Sequence, residues 1–158
     1  EIGEATSRFE EGEHLLAREA DRGIIGLHGE ACHALGRAAL LLGRLDDARR
    51  LAERALASSP AHPGFAAHAR HLLGDVAGHP QRFDRERGEA YYRQALALAD
   101  AHGMRPLVAH CHLGLGRLHR RAGGPAVGEH LAAAMDLYRA MAMPYWAERA
   151  EEETRPRA

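Results

Sequence analysis

The chain has 158 residues, 46% hydrophobic and 27% charged, with a formal net charge of −1. That is long enough for one domain with a real core, and too close to neutral for a general pull toward nucleic acid or an anionic membrane. Aromatic residues make up only 5%, so the core must be built mainly from Ala and Leu. That suits close helix packing better than a sheet, where β-branched and aromatic residues are favoured.

Along the chain, "ATSRFEEGEHLLAREAD" reads as an amphipathic helix within residues 1–22. In "CHALGRAALLLGRLDDARRLAERALASSP", Cys32, Leu35, Gly36 and Ala39 fall at i, i+3, i+4 and i+7, one face of a helix. Gly43 ends that helix in a position suited to the left-handed conformation. Ala48, Ala52 and Ala55 line a second helix, and Pro60 closes a unit over residues 23–60. Leu73-Gly74 opens a second pair over 61–102. Gly88, Tyr92 and Ala95 line its second helix, "GEAYYRQALALAD", after a longer loop around Gly78-His79-Pro80-Gln81. Leu115-Gly116 opens a third pair over 103–142, with Val127, Leu131 and Ala134 on its second helix. Between its helices, Gly123-Gly124-Pro125 supplies a glycine stop and a proline start. Pro144 starts a terminal helix within 143–155, "PYWAERAEEE".

The Leu-Gly pair followed by small, bulky, small and proline positions resembles the tetratricopeptide repeat. Leu35-Gly36, Ala48, Ala55 and Pro60 match that pattern at its own spacing, while Cys32, Ala39 and Ala52 replace larger consensus residues. The resemblance covers nearly the whole chain. More narrowly, "HGMRPLVAHCHLGLGRLHRRAGG" and "AMDLYRAMAMPYWAERAEEE" resemble the C-terminal repeat arrays of bacterial multidomain regulators with adenylate-cyclase-like, winged-helix or STAND ATPase modules. The resemblance implies an all-α fold, a right-handed α-solenoid of antiparallel helix pairs, in which 1–22 is the second helix of a truncated repeat. Each pair has an apolar face that it cannot bury alone, so pairs stack. Gly36, Gly74 and Gly116 are expected to let the two helices of each pair approach closely.

The resemblance further implies a concave face, lined by the first helix of each pair, that holds a peptide or a partner helix. In the Leu-Gly register the inward positions are Glu30, His33 and Arg37 in the first unit; His68, His71 and Asp75 in the second; and His110, Leu113 and Arg117 in the third. Arg120 lies one turn further along. The arginine forks could grip a carboxylate of a peptide. The plainer alternative is a solvated polar groove.

"LVAHCHLGLGRLHRR" places His110, Cys111 and His112 side by side. Neighbours on a helix point about 100° apart, so these three cannot act as one triad. His110 is expected to face the groove and Cys111 the second helices, with His112 and His119 packed as hydrogen-bonded core histidines. His68 and His71 share a helix face and could form half a metal site with His110, but no cysteine pair supports one. There is no Gly-rich phosphate loop, no Gly-x-Ser-x-Gly and no paired-carboxylate arrangement. The short basic runs at Arg49, Arg50, Arg54 and at Arg117, Arg120, Arg121 are offset by acids.

The expectation is therefore a non-enzymatic interaction, scaffold or sensor module with no cofactor and no metal, binding a protein or peptide, with no direct nucleic-acid contact and no membrane. The alternative is self-association through open end repeats. Two cysteines in apolar helical patterns and the lack of a signal peptide point to a reducing cytoplasm. The start at Glu1 without a methionine, and the charged tail over 151–158, suggest part of something longer.

Overall fold

The computed structural model describes residues 2–21, 28–58 and 62–155. They form eight α-helices and no strand: α1 (Ile2–Asp21), α2 (His28–Leu41), α3 (Leu45–Ser58), α4 (Pro63–Ala77), α5 (Arg85–Ala101), α6 (Arg105–Ala122), α7 (Val127–Ala140) and α8 (Pro144–Glu152). A single 3-10 turn, Pro80–Arg82, fills the long loop before α5, and the His79 ring accepts a hydrogen bond from the Gln81 N–H at 3.3 Å. Pro60 lies outside the described residues. Among them, no helix is long and apolar enough to cross a membrane.

The helix ends follow local chemistry. Prolines occupy the first turns of α4, α6 and α8, where a missing N–H costs nothing. α5 starts three residues before the Gly88 at which "GEAYYRQALALAD" opens, because the Asp84 carboxylate caps it by accepting from the Arg87 N–H at 3.0 Å. Gly43 and Gly123 sit at φ +73° and +67°, a region that side chains with a Cβ avoid. Pro125 does not open α7. The Gly124 N–H closes the end of α6 on the His119 carbonyl at 2.8 Å, and the chain must turn through Pro125 and Ala126 before α7 begins at Val127.

Each helix packs against the next, from α1 on α2 to α7 on α8, and α2 also touches α4 and α4 touches α6. The core is correspondingly a succession of clusters. One spans α1 to α4, from Phe9 and Leu16 through Cys32 and Leu51 to Leu72 and Val76. A second joins Ala67 with Ala95, Ala99, Leu107 and Cys111. A third holds Leu113, Leu131, Ala134 and Tyr138 with the two alanines of α8. α1 is also tied to α3 by Glu13 with Arg50 at 2.5 Å, and Arg44 lies 4.5 Å over the Phe9 ring.

The small residues set how near the helices come. A Cβ at Gly116 would stand 2.5 Å from the Leu131 side chain, a contact within one expected pair. At Gly36 the tightest neighbour is instead Leu72 of α4, at 2.7 Å, so this glycine serves the packing of α2 on α4 more than that of α2 on α3. Gly74 and Gly114 face the same ring: a Cβ at Gly74 would lie 2.7 Å from Tyr92, and one at Gly114 would also press on it. The Tyr92 side chain, from α5, thus wedges between α4 and α6 where neither can carry a methyl group.

Gly74→Ala is expected to lower stability by roughly 1–2 kcal/mol, the overpacking penalty outweighing the gain in helix propensity. Gly128→Ala, with nothing within 4 Å of its new methyl group, should instead stabilise by up to about 0.5 kcal/mol. Urea midpoints of the two variants, read by circular dichroism, would move in opposite directions.

Candidate functional site

Nine of the ten inward positions line a single cavity of about 960 Å³: His33, Arg37, His68, His71, Asp75, His110, Leu113, Arg117 and Arg120. Glu30 does not. It stands exposed in the first turn of α2, whereas His68 and His110 lie a full turn or more inside α4 and α6. Leu113 is only 2% exposed and belongs to the apolar floor.

The wall is built from α2, α4, α6 and α8 in turn, and ring contacts step across it. His33 meets His68 with centroids 5.2 Å apart, His71 meets His110 at 6.2 Å, and His110 meets Trp146 edge-on at 4.6 Å. Ion pairs follow the same path: Arg37 to Asp75 at 3.4 Å from α2 to α4, and Arg117 to Glu153 at 2.8 Å from α6 to the end of α8. Arg120 also pairs with the Glu153 carboxylate and donates to its backbone carbonyl at 2.8 Å.

The alternate helices reach between these. From α5, the Tyr92 hydroxyl donates to Asp75 Oδ1 at 2.8 Å. Asp75 Oδ2 lies 3.3 Å from His71 Nδ1, so one carboxylate serves Tyr92, Arg37 and His71. From α7, the Tyr138 hydroxyl lies 2.7 Å from His110 Nδ1. The bonds fall into three groups: Asp75 with Tyr92, Arg37 and His71; His110 with Tyr138; and Glu153 with Arg117 and Arg120.

Charge is concentrated here although the chain is nearly neutral. Arg37, Arg117, Arg120, Arg121 and Arg155 line the cavity against the carboxylates of Asp75 and Glu153. Arg121 donates to the Gly78 carbonyl. Burial, then the neighbouring His68 and Arg37, push the His33 pKa down to about 4. Burial, then His71 and Arg37, do the same to His110. His68 is lowered as well, first by burial and then by His71 and Arg37. Burial thus favours the neutral form of the His33, His68 and His110 imidazoles, while arginine supplies positive charge to the cavity. Burial raises the Tyr92 phenol well above its usual value and also raises Tyr138, so both hydroxyls remain protonated and able to donate.

The three residues of "HCH" separate. His110 faces the cavity. Cys111 is fully buried among Ala67, Ala95, Ala99 and Leu107, and burial pushes its thiol up to about 12. His112 turns to α7, its Nδ1 3.0 Å from His130 Nδ1. His119 is buried, but it differs from the hydrogen-bonded core histidine expected: neither ring nitrogen has a hydrogen-bond partner, and the nearest carboxylate oxygen, of Glu89, is 3.9 Å away. Its ring instead stacks on His130 at 5.6 Å, and a Cβ at Gly124 would stand 2.9 Å from its Nδ1. Among the described residues, no three His, Cys, Asp or Glu side chains converge to hold a metal ion.

Sequence reasoning missed Tyr138, Trp146 and Glu153. One signal was present. The seven-residue spacing of 30 to 37, 68 to 75 and 110 to 117 recurs as 146 to 153 on the terminal helix.

The chain matches no protein-family model, no curated protein and no solved structure.

The lowered histidines fix a pH dependence. His33 and His110 take up protons near 6.5 when unfolded and near 4 when folded, so the unfolded chain binds more protons across that window. Their contribution is complete above about pH 6.5, is lost as pH falls toward 4, and is flat below. Melting temperature should fall by roughly 5–10 °C between pH 7 and pH 4.5. His110→Phe should shrink that fall when thermal melts are compared across the same buffers.

Proposed function

We propose that this chain is a non-enzymatic tetratricopeptide-type array, a right-handed solenoid of antiparallel helix pairs, that binds an acidic peptide or partner helix in the cavity along α2, α4, α6 and α8. The observation that carries this reading is the excess of arginine over carboxylate in that cavity, set in a chain whose net charge is −1. Guanidinium forks grip carboxylates in two-point geometry. The tyrosine, tryptophan and histidine rings beside them offer rigid contact surface at little entropic cost. Binding is preferred over catalysis because, among the described residues, the cavity lining contains no cysteine or serine, the Thr154 hydroxyl donates to the Glu151 carbonyl, and Cys111 is buried with its thiol held protonated. The wider setting we infer is a larger bacterial signalling or transcription-regulatory protein, for which the array is the interaction or sensing part.

A second reading, self-association, rests on the apolar residues that α1 leaves uncovered: Ile2 is 81% exposed and Leu15 50%. Light scattering across a concentration series separates the two. A strict monomer at high concentration removes self-association and leaves the cavity reading intact.

The cavity reading is tested with arrays of acidic peptides and their Glu→Gln counterparts. Wild-type protein should retain the acidic set, and Arg37→Glu/Arg117→Glu should weaken retention by at least about tenfold, the effect of losing charge-assisted contacts. Equal retention by both proteins would sink the assignment.

A further inference from the structure

We infer that the Arg117–Arg120 pair is a built site for an acidic residue and that the chain's own Glu153 occupies it, making α8 a displaceable internal competitor for the cavity. This rests on the cavity reading above and adds how access to it is controlled.

The two arginines stand one turn apart on α6 and grip Glu153 as they would a residue of a bound peptide. Arg117 Nε donates to a carboxylate oxygen at 2.8 Å, Arg120 pairs with the carboxylate, and Arg120 Nη1 donates to the backbone carbonyl at 2.8 Å. The site thus reads a side-chain charge and a main-chain acceptor of the same residue. The Glu153 side chain is 17% exposed, against 44% for that of Arg117, so the carboxylate is the covered partner and the guanidinium remains reachable from the cavity.

The element that delivers Glu153 is weakly held. At nine residues α8 is the shortest helix, and a helix of that length is marginal in water without tertiary support. Its buried residues are two alanines, Ala147 and Ala150, which bring little apolar area. Its other anchors include the Trp146 ring against His110 and Tyr138, partly buried Met141 and Met143 beside the same cluster, an exposed Arg139–Glu151 pair at 3.9 Å and the Glu153 contacts themselves. Segments with few buried apolar contacts open at the lowest free energy. When α8 lifts, the vacated site has the charge and geometry to take a glutamate from another chain.

The test uses the whole 158-residue chain and one labelled peptide, acetyl-PYWAERAEEETR, the sequence of residues 144–155, followed by fluorescence anisotropy. Glu153→Gln removes the internal carboxylate and is expected to bind this peptide on the order of tenfold more tightly than wild type, since a larger fraction of molecules is competent. The same peptide with its own Glu153→Gln change should lose that gain, and adding Arg117→Gln/Arg120→Gln to the protein should abolish it. Amide exchange over 144–152 should quicken in Glu153→Gln with circular dichroism unchanged, which separates release of α8 from unfolding. If Glu153→Gln binds the peptide no more tightly than wild type, the internal-competitor proposal is overturned. The cavity reading has its own outcome: acidic arrays retained by wild type and lost on charge reversal uphold it even then. A Glu153→Gln gain alongside failed arrays marks a purely intramolecular clasp.

Discussion

The Tyr92 ring is the part on which most of the cavity depends. It enters between α4 and α6 because Gly74 and Gly114 leave room for nothing larger than hydrogen. Its hydroxyl then fixes Asp75, which in turn holds Arg37 from α2 and lies against His71. One side chain therefore sets the separation of two helices and orients the carboxylate that links a third. A phenylalanine at position 92 would keep the wedge but leave Asp75 with only its arginine and histidine neighbours. Packing and electrostatics are separable at this point, and the chain uses both.

Further along, the same device recurs with different chemistry. Tyr138 from α7 reaches His110 between α6 and α8, and Trp146 closes on both rings. In each case a tyrosine from the intervening helix reaches between its two neighbours in sequence and ends on a polar group at the cavity. The rings supply rigid area, while the tyrosine hydroxyls reach a half-buried polar partner, Asp75 or His110. This explains how a chain with so few aromatics spends them: Tyr92, Tyr138 and Trp146 all stand at helix junctions.

The order of the helices was legible because it depends on local signals, namely Leu-Gly spacing, glycine stops and proline starts, but two starts were not: α5 begins at Arg85 under the Asp84 cap, and α7 at Val127 rather than at Pro125. The positions lining the cavity were legible for the same reason, since a register repeated three times projects residues to one side. Glu30 departs: it falls in the first turn of α2 and stands exposed. Side-chain partners were not legible. Nothing in the spacing says that Arg117 and Arg120 would meet Glu153, 36 and 33 residues further along the chain, or that His119 would be packed without a hydrogen bond. Such pairings depend on side-chain reach and on the angle at which helices meet, which periodicity does not encode.

The two thiols give the chain a built-in reporter. Cys32 sits in the cluster of α1 to α4 and Cys111 in the one joining α4, α5 and α6. Burial raises both thiol pKa values, Cys111 to about 12, and only a thiolate attacks an alkylating reagent at useful speed. Each cysteine is therefore silent while its own cluster stays closed and becomes reactive when it opens. Because the core is divided among successive clusters, the two alkylation rates time the breathing of two neighbouring segments of one chain, with no label added to its surface.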